Sequence, residues 1–213
     1  MDEYLIGTGF CDTAHPEIIK ESRRLVRRKA TDREKATAIF DFVRNEVKYR
    51  FDYPARRASE VLAARQGNCF NKATLQTALL RAAEVPAGYG VLLINRDVFE
   101  PLLPPDIFAL VNQPTVHVYT CCWLTDRWVA ADATLDPAVF HKIYRARPGW
   151  SLPAWDGAAD CRMDPRHVTE DQGVYANIDL YLKNPPRFWD DRLLARANAH
   201  VETLLRAGRP PET

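Results

Sequence analysis

Along the chain, apolar positions recur first with a helical period and only later with the alternation of strands. In residues 31–51, "TDREKATAIFDFVRNEVKYRF", Ala36, Ile39, Phe40, Val43 and Val47 fall on one helical stripe. Thr31 and Glu34 have the spacing of a capping box, so a helix is expected to start there. Upstream, "HPEIIKESRRLVRRKA" places Pro16 at a first helical turn, with Ile19 and Val26 on one side. Its other side carries Lys20, Arg23, Arg24, Arg27 and Arg28 and reads as a solvated basic face.

A short helix from about Ser59 is expected to end at Gly67. "CFNKATLQTALLRAAEV" then gives Phe70, Ala73, Leu79, Ala82 and Ala83 as a face of small and apolar residues, suited to close packing. After Pro86 and Gly88 the run "YGVLLI" is almost wholly apolar and predicts a buried strand. Four prolines break residues 96–114, which predict a long loop of the kind that shapes pockets. "TVHVYTCCWLTDRWVAADATLD" contains two β-rich runs separated by Thr125-Asp126 and predicts an antiparallel hairpin. Residues 137–186 are irregular, with at most short strands or turns. A last helix carries Leu193, Leu194, Ala197, Val201, Leu204 and Leu205 at helical spacing, with Gly208 as its stop.

At 213 residues the chain is expected to form one domain with a sizeable core. Lys+Arg (29) nearly balance Asp+Glu (28), so no global field points to nucleic acid or to an anionic membrane. The start "MDEYLIGTGF" is acidic where a signal peptide is basic, and its apolar stretch is too short to span a bilayer, so a cytoplasmic location is expected. Five cysteines, an odd number, read as reduced thiols. Cys121-Cys122, Cys11 with His15, and Cys161 with His167 lack the repeated spacing of a structural zinc site, so neither metal nor another cofactor is expected.

The hairpin carries the first hint of chemistry. If its loop has an even number of residues centred between Thr125 and Asp126, Trp123 faces Trp128, Tyr119 faces Asp132, and His117 faces Thr134. His117 and Asp132 then project from one face as diagonal neighbours about 7–8 Å apart. An odd loop sends Asp132 to the other face. A carboxylate beside a histidine holds one tautomer and stabilises the imidazolium, and such a pair serves a nucleophile. Cys69, in "RQGNCFNKA", is the candidate: a thiol at a helix start feels the positive end of the helix dipole, and nearby backbone N–H groups can receive an oxyanion.

The residues in "DREKATAIFDFVRNEVKYRFD", "ASEVLAARQGNCFNKATLQTALLRAAEVPA" and "HVYTCCWLTDRWVAADAT" resemble the transglutaminase-like superfamily over roughly residues 30–137. The resemblance implies an α/β (α+β) fold of papain-like, transglutaminase-core type, a helical layer packed on an antiparallel sheet, followed by a C-terminal irregular segment and helix over 138–208. It implies Cys69 as nucleophile, His117 as base and Asp132 as orienter. The expected reaction is attack on an amide or thioester of a peptide, amide or acyl substrate, with hydrolysis favoured over transfer to an amine. A tailoring enzyme for a carrier-tethered molecule and a binding module without turnover are the other readings. Animal-type members have an upstream Trp that helps to hold the oxyanion, whereas the first Trp here is Trp123. They also bind calcium, for which no suitable acidic loop is present. Gln66, Asn68 and Asn71 are candidate substitute donors. Trp150 and Trp155, in a Pro-rich stretch, are candidate pocket-lining residues.

Overall fold

The computed structural model describes residues 1–152, 154–183 and 190–207. Helix α1 (Pro16–Leu25) begins with Pro16 after an N-capping His15, and α2 (Asp32–Glu46) starts at the expected Thr31/Glu34 capping box. Ala36, Ile39, Phe40, Val43 and Val47 are all fully buried, as the stripe predicted. A two-residue strand β1 (Lys48–Tyr49), the helix α3 (Ala58–Ala64) and a second short strand β2 (Gln66–Gly67) lead to α4 (Cys69–Ala82). β1 and β2 pair in parallel, with Tyr49 opposite Gly67.

Gly67 does not terminate α3 as expected. Arg65 does so, in the left-handed region at φ 51°. Gly67 is required instead by close approach, because a Cβ there would lie 2.5 Å from the Cβ of Asn71.

Helix α4 is the centre of the molecule and is buried on every side from Cys69 to Arg81. The small-residue face is therefore only part of its packing surface. Its polar side chains end on backbone carbonyls of surrounding segments: Lys72 Nζ on Val47 (2.7 Å), Gln76 Nε2 on Ala131 (3.0 Å), and Arg81 on Ile6 (2.6 Å), Ala87 (2.8 Å) and Ala176 (2.7 Å). Buried polar groups cost little only when paired, so these contacts tie α4 to the strands and loops around it.

The sheet has the order β5-β4-β3-β6 and is wholly antiparallel, built from β3 (Ala87–Ile94), β4 (Thr115–Leu124), β5 (Arg127–Ala131) and β6 (Val168–Tyr175). Cys122, Leu124, Val129 and Ala131 pack toward α1, α2 and α4, while Leu92, Ile94, Tyr119, Cys121 and Ala130 form a second cluster. The loop between β3 and β4 carries the short α5 (Pro105–Phe108).

The expectation of at most short strands in 137–186 is corrected by β6, eight residues long and paired with β3. Its sequence, VTEDQGVY, is mostly polar because this edge strand is exposed along most of its length, so no apolar alternation marked it. The same stretch holds α6 (Pro137–Val139) and α7 (Asp179–Lys183). The last helix, α8 (Asp191–Ala207), buries Leu194, Ala197 and Val201 against Tyr49 and Phe51. Asn198 on α8 accepts from Phe51 N–H and donates to Phe51 C=O, both at 2.9 Å. Gly208, the expected stop, lies outside the described residues. Among the described residues no helix is long and apolar enough to cross a membrane.

Candidate active site

Cys69 is the first residue of α4 and is 6% exposed. Asn68 caps the helix: its Oδ1 accepts from Asn71 N–H (3.2 Å), and Asn71 Oδ1 accepts from Asn68 N–H (3.0 Å). This box occupies the N–H of Asn71 and leaves those of Cys69 and Phe70 at the open end of the helix. The remaining amide groups fasten the preceding loop, Asn68 Nδ2 to Asp52 O (2.7 Å) and Asn71 Nδ2 to Tyr53 O (3.0 Å) and Pro54 O (3.2 Å). Both asparagines thus hold the helix that starts at Cys69 in place; Asn71 has spent both amide hydrogens. Gln66 lies on β2 and lines neither of the cavities that reach Cys69.

The hairpin has the even register. Trp123 pairs with Trp128 and Thr120 with Ala131, and the turn residues Thr125 (φ 50°) and Asp126 (φ 62°) both take the left-handed conformation of a two-residue hairpin loop. His117 and Asp132 therefore share a face, and His117 Nε2 lies 2.7 Å from Asp132 Oδ2. Asp132 Oδ1 accepts from Thr134 N–H (3.0 Å), and the Asp132 backbone N–H donates to Cys161 O (2.8 Å). With Nε2 committed to the carboxylate, Nδ1 is the nitrogen left to serve the Cys69 thiol, which lines the same cavity.

Burial pulls the His117 pKa down, but the charge and hydrogen bond of Asp132, with the hydrogen bond and charge of Cys69, outweigh it and raise it to about 10. Burial likewise pushes Asp132 up, and the His117 charge and the hydrogen bonds from His117 and Thr134 bring its net pKa below the ordinary carboxylate value. Lys72, one turn beyond Cys69, is lowered to about 7 by burial, against the opposing pull of Asp136 and Asp132.

Cys69, His117 and Asp132 line a cavity of about 300 Å³ whose walls are largely apolar, including Val98, Phe99, Leu102, Tyr144 and Trp150. Trp150 packs at a tilt against Tyr144 with centroids 4.1 Å apart and lines this cavity. Trp155 does not: it is 5% exposed in the main core, 4.8 Å from the Phe40 ring, and its Nε1 donates to Ala159 O at 2.8 Å. The correction has a simple cause, since chain irregularity marks a loop but not the side of it that faces the core. A second cavity of about 100 Å³ also reaches Cys69, lined by Asp52, Asn68, Phe70, Asn112 and Tyr181 among others. Tyr49 lines both cavities and was not singled out by sequence; nothing in "VKYRF" separates it from any other half-strand tyrosine. Cys121 and Cys122 fall in different clusters, and among the described residues no group of three or more His, Cys, Asp or Glu is placed to hold a metal ion.

A buried helix with cysteine at its start, packed on an antiparallel sheet with a His-Asp pair on adjacent strand ends, is the architecture of a transglutaminase-like core. The chain belongs to the transglutaminase-like superfamily, whose sequence model matches residues 20–133, from within α1 to just past Asp132. Solved structures similar to it include a protein provisionally named a cysteine protease from Cytophaga hutchinsonii, with 22% identity, a TM-score of 0.49, and 62% of this chain and 40% of that chain covered. Another is a protein provisionally named a protease from Parabacteroides distasonis, with 13% identity, a TM-score of 0.40, and 60% of this chain and 24% of that chain covered. The chain thus spans less than half of either protein. The search of curated proteins found no match.

Proposed function

We propose that this chain is a Cys-His-Asp thiol enzyme that acts on an amide or thioester carbonyl through a thioester acyl-enzyme. The observation that carries the reading is the His117–Asp132 pair at 2.7 Å in the wall of the same apolar cleft as the Cys69 thiol at its helix start. Cys69 passes its thiol proton to His117, the sulfur attacks the carbonyl carbon, and the C=O π pair moves onto oxygen. As the tetrahedral intermediate collapses, the C–N or C–S bond breaks and His117 gives its proton to the leaving amine or thiol. Asp132 holds the ring in place through both protonation states and stabilises it while it is imidazolium. Water, deprotonated by His117, then releases the acid and restores the thiol.

The second cavity of about 100 Å³ that reaches Cys69 is the observation that favours a second reading, transfer of the acyl group to an amine. An amine seated there competes with water for the acyl-enzyme. The test is mass spectrometry of the protein after incubation with short acyl thioesters, with and without added amines. An acyl adduct confined to Cys69 and absent from Cys69→Ala is expected. A protein that gains no adduct, or that turns over equally well as Cys69→Ala, overturns the reading. Acid or amide as the released product decides between water and amine.

A further inference from the structure

The reaction proposed above needs a second donor for the oxyanion, beside the N–H of Cys69, and neither Asn71 nor Gln66 is in a position to supply one. Tyr49 is 6% exposed, yet it lines both cavities that reach Cys69, and the larger of them also contains His117. Among the described residues its hydroxyl has no hydrogen-bond partner, while the rest of the residue is firmly held. Its backbone N–H donates to Asp136 Oδ2 at 2.7 Å, its ring meets Phe51 edge-on at 5.4 Å, and β1 pairs it with Gly67, two residues before the nucleophile. The hydroxyl oxygen is not sealed off from the cavity, so it can donate to a group that arrives there.

We infer that the Tyr49 hydroxyl is the side-chain donor of the oxyanion hole, acting with the backbone N–H of Cys69. This rests on the thiol-enzyme reading. When sulfur adds to the carbonyl carbon, the electron pair displaced onto oxygen is met by two hydrogen bonds, and neither donor transfers its proton. That proton economy suits a phenol in this place: burial first, then the neighbouring Cys69 and Tyr144, raise its pKa well above the ordinary phenol value, so it remains a neutral donor. Its ring is fixed before the substrate arrives, which is the condition under which a donor stabilises the transition state most.

Tyr181 is the competing phenol. It lines the smaller cavity and stacks on Phe70 at 5.4 Å, but it is 36% exposed, on a five-residue helix, and does not line the cavity that holds His117.

Two reagents separate the roles. Alkylation of Cys69 by iodoacetamide is a displacement at saturated carbon and forms no oxyanion; acylation by p-nitrophenyl acetate forms one. In Tyr49→Phe, which keeps the ring and its packing, iodoacetamide is expected to label Cys69 at the wild-type rate. The p-nitrophenolate burst is expected to slow by about 10²–10³-fold. An unchanged burst overturns the assignment. So does equal slowing with both reagents, which places Tyr49 on the thiol or the fold, or a larger acylation loss in Tyr181→Phe than in Tyr49→Phe. A wild-type protein whose Cys69 takes iodoacetamide but no acyl group defeats the thiol-enzyme reading itself, and the role of Tyr49 with it.

Discussion

His117 Nε2 and Asp132 Oδ2 lie 2.7 Å apart because a two-residue turn at Thr125-Asp126 gives the hairpin an even register. The pair is buried, and its charges are coupled to a thiol on one side and to the buried Lys72 on the other. Both couplings have measurable consequences.

The first concerns stability against pH. Folded His117 holds its proton up to about pH 10, against an ordinary value of 6.5, so its stabilising contribution is complete below 6.5 and is lost as the pH rises toward 10. Lys72 has the opposite sign: its folded value of about 7 lies below the ordinary 10.5, so the cost of burying its charge is complete below 7 and disappears as the pH rises toward 10.5. Between about pH 7 and 10 the two slopes oppose each other. Urea unfolding midpoints are expected to fall with rising pH in Lys72→Met and to rise in Asp132→Asn. Parallel slopes in the two variants would contradict this account.

The second concerns the order in which the thiols react. Burial pushes Cys11 up to about 11 and Cys121 and Cys161 up to about 12, and it raises Cys122 well above the ordinary thiol value. At neutral pH these four are therefore poor nucleophiles, whereas Cys69 has an imidazole beside it. Peptide mapping after brief exposure to iodoacetamide is expected to find Cys69 modified first. His117→Gln is expected to remove that preference. Earlier labelling of the half-buried Cys161 would count against an activated Cys69.

Gly67→Ala is expected to damage the site without touching its chemical groups. The new Cβ would meet the Asn71 side chain at 2.5 Å and break the capping box that positions the start of α4. Overpacking of this kind costs about 1–3 kcal/mol, so a lowered melting temperature together with slower Cys69 alkylation is the expected result. A stable variant with unchanged thiol reactivity would show that the close approach can relax.

The two tryptophans of the Pro-rich stretch should behave differently. Trp155→Ala removes a core ring packed on Phe40 and is expected to destabilise by about 3–5 kcal/mol. Trp150→Ala removes a ring that lines the cleft and is expected to lose less stability. Its larger effect is expected on acylation by reagents with bulky apolar acyl groups, measured against acetyl reagents. Equal unfolding free energies for the two variants would refute the distinction.

Much of this molecule was legible in the chain because its signals are local. Capping at Thr31/Glu34, the apolar stripe of α2, the start of α4 at Cys69 and the hairpin about Thr125-Asp126 each depend on neighbouring residues and on the period of a helix or strand. The alternation of strand residues tied a shared face for His117 and Asp132 to an even loop, and the two-residue turn seen in the structure decided for it. What tertiary structure alone decided depends on which surfaces meet. Strand β6 is a strand because β3 offers it an edge, not because VTEDQGVY prefers one. Asn68 and Asn71 were drawn into fastening the Asp52–Pro54 loop, and Trp155 was drawn into the core. Tyr49 lines the same cavities as Cys69 because two short strands, 18 residues apart in sequence, lie side by side. Periodicity reports how a segment faces its immediate neighbours along the chain; it carries no information about which distant segment will cover it.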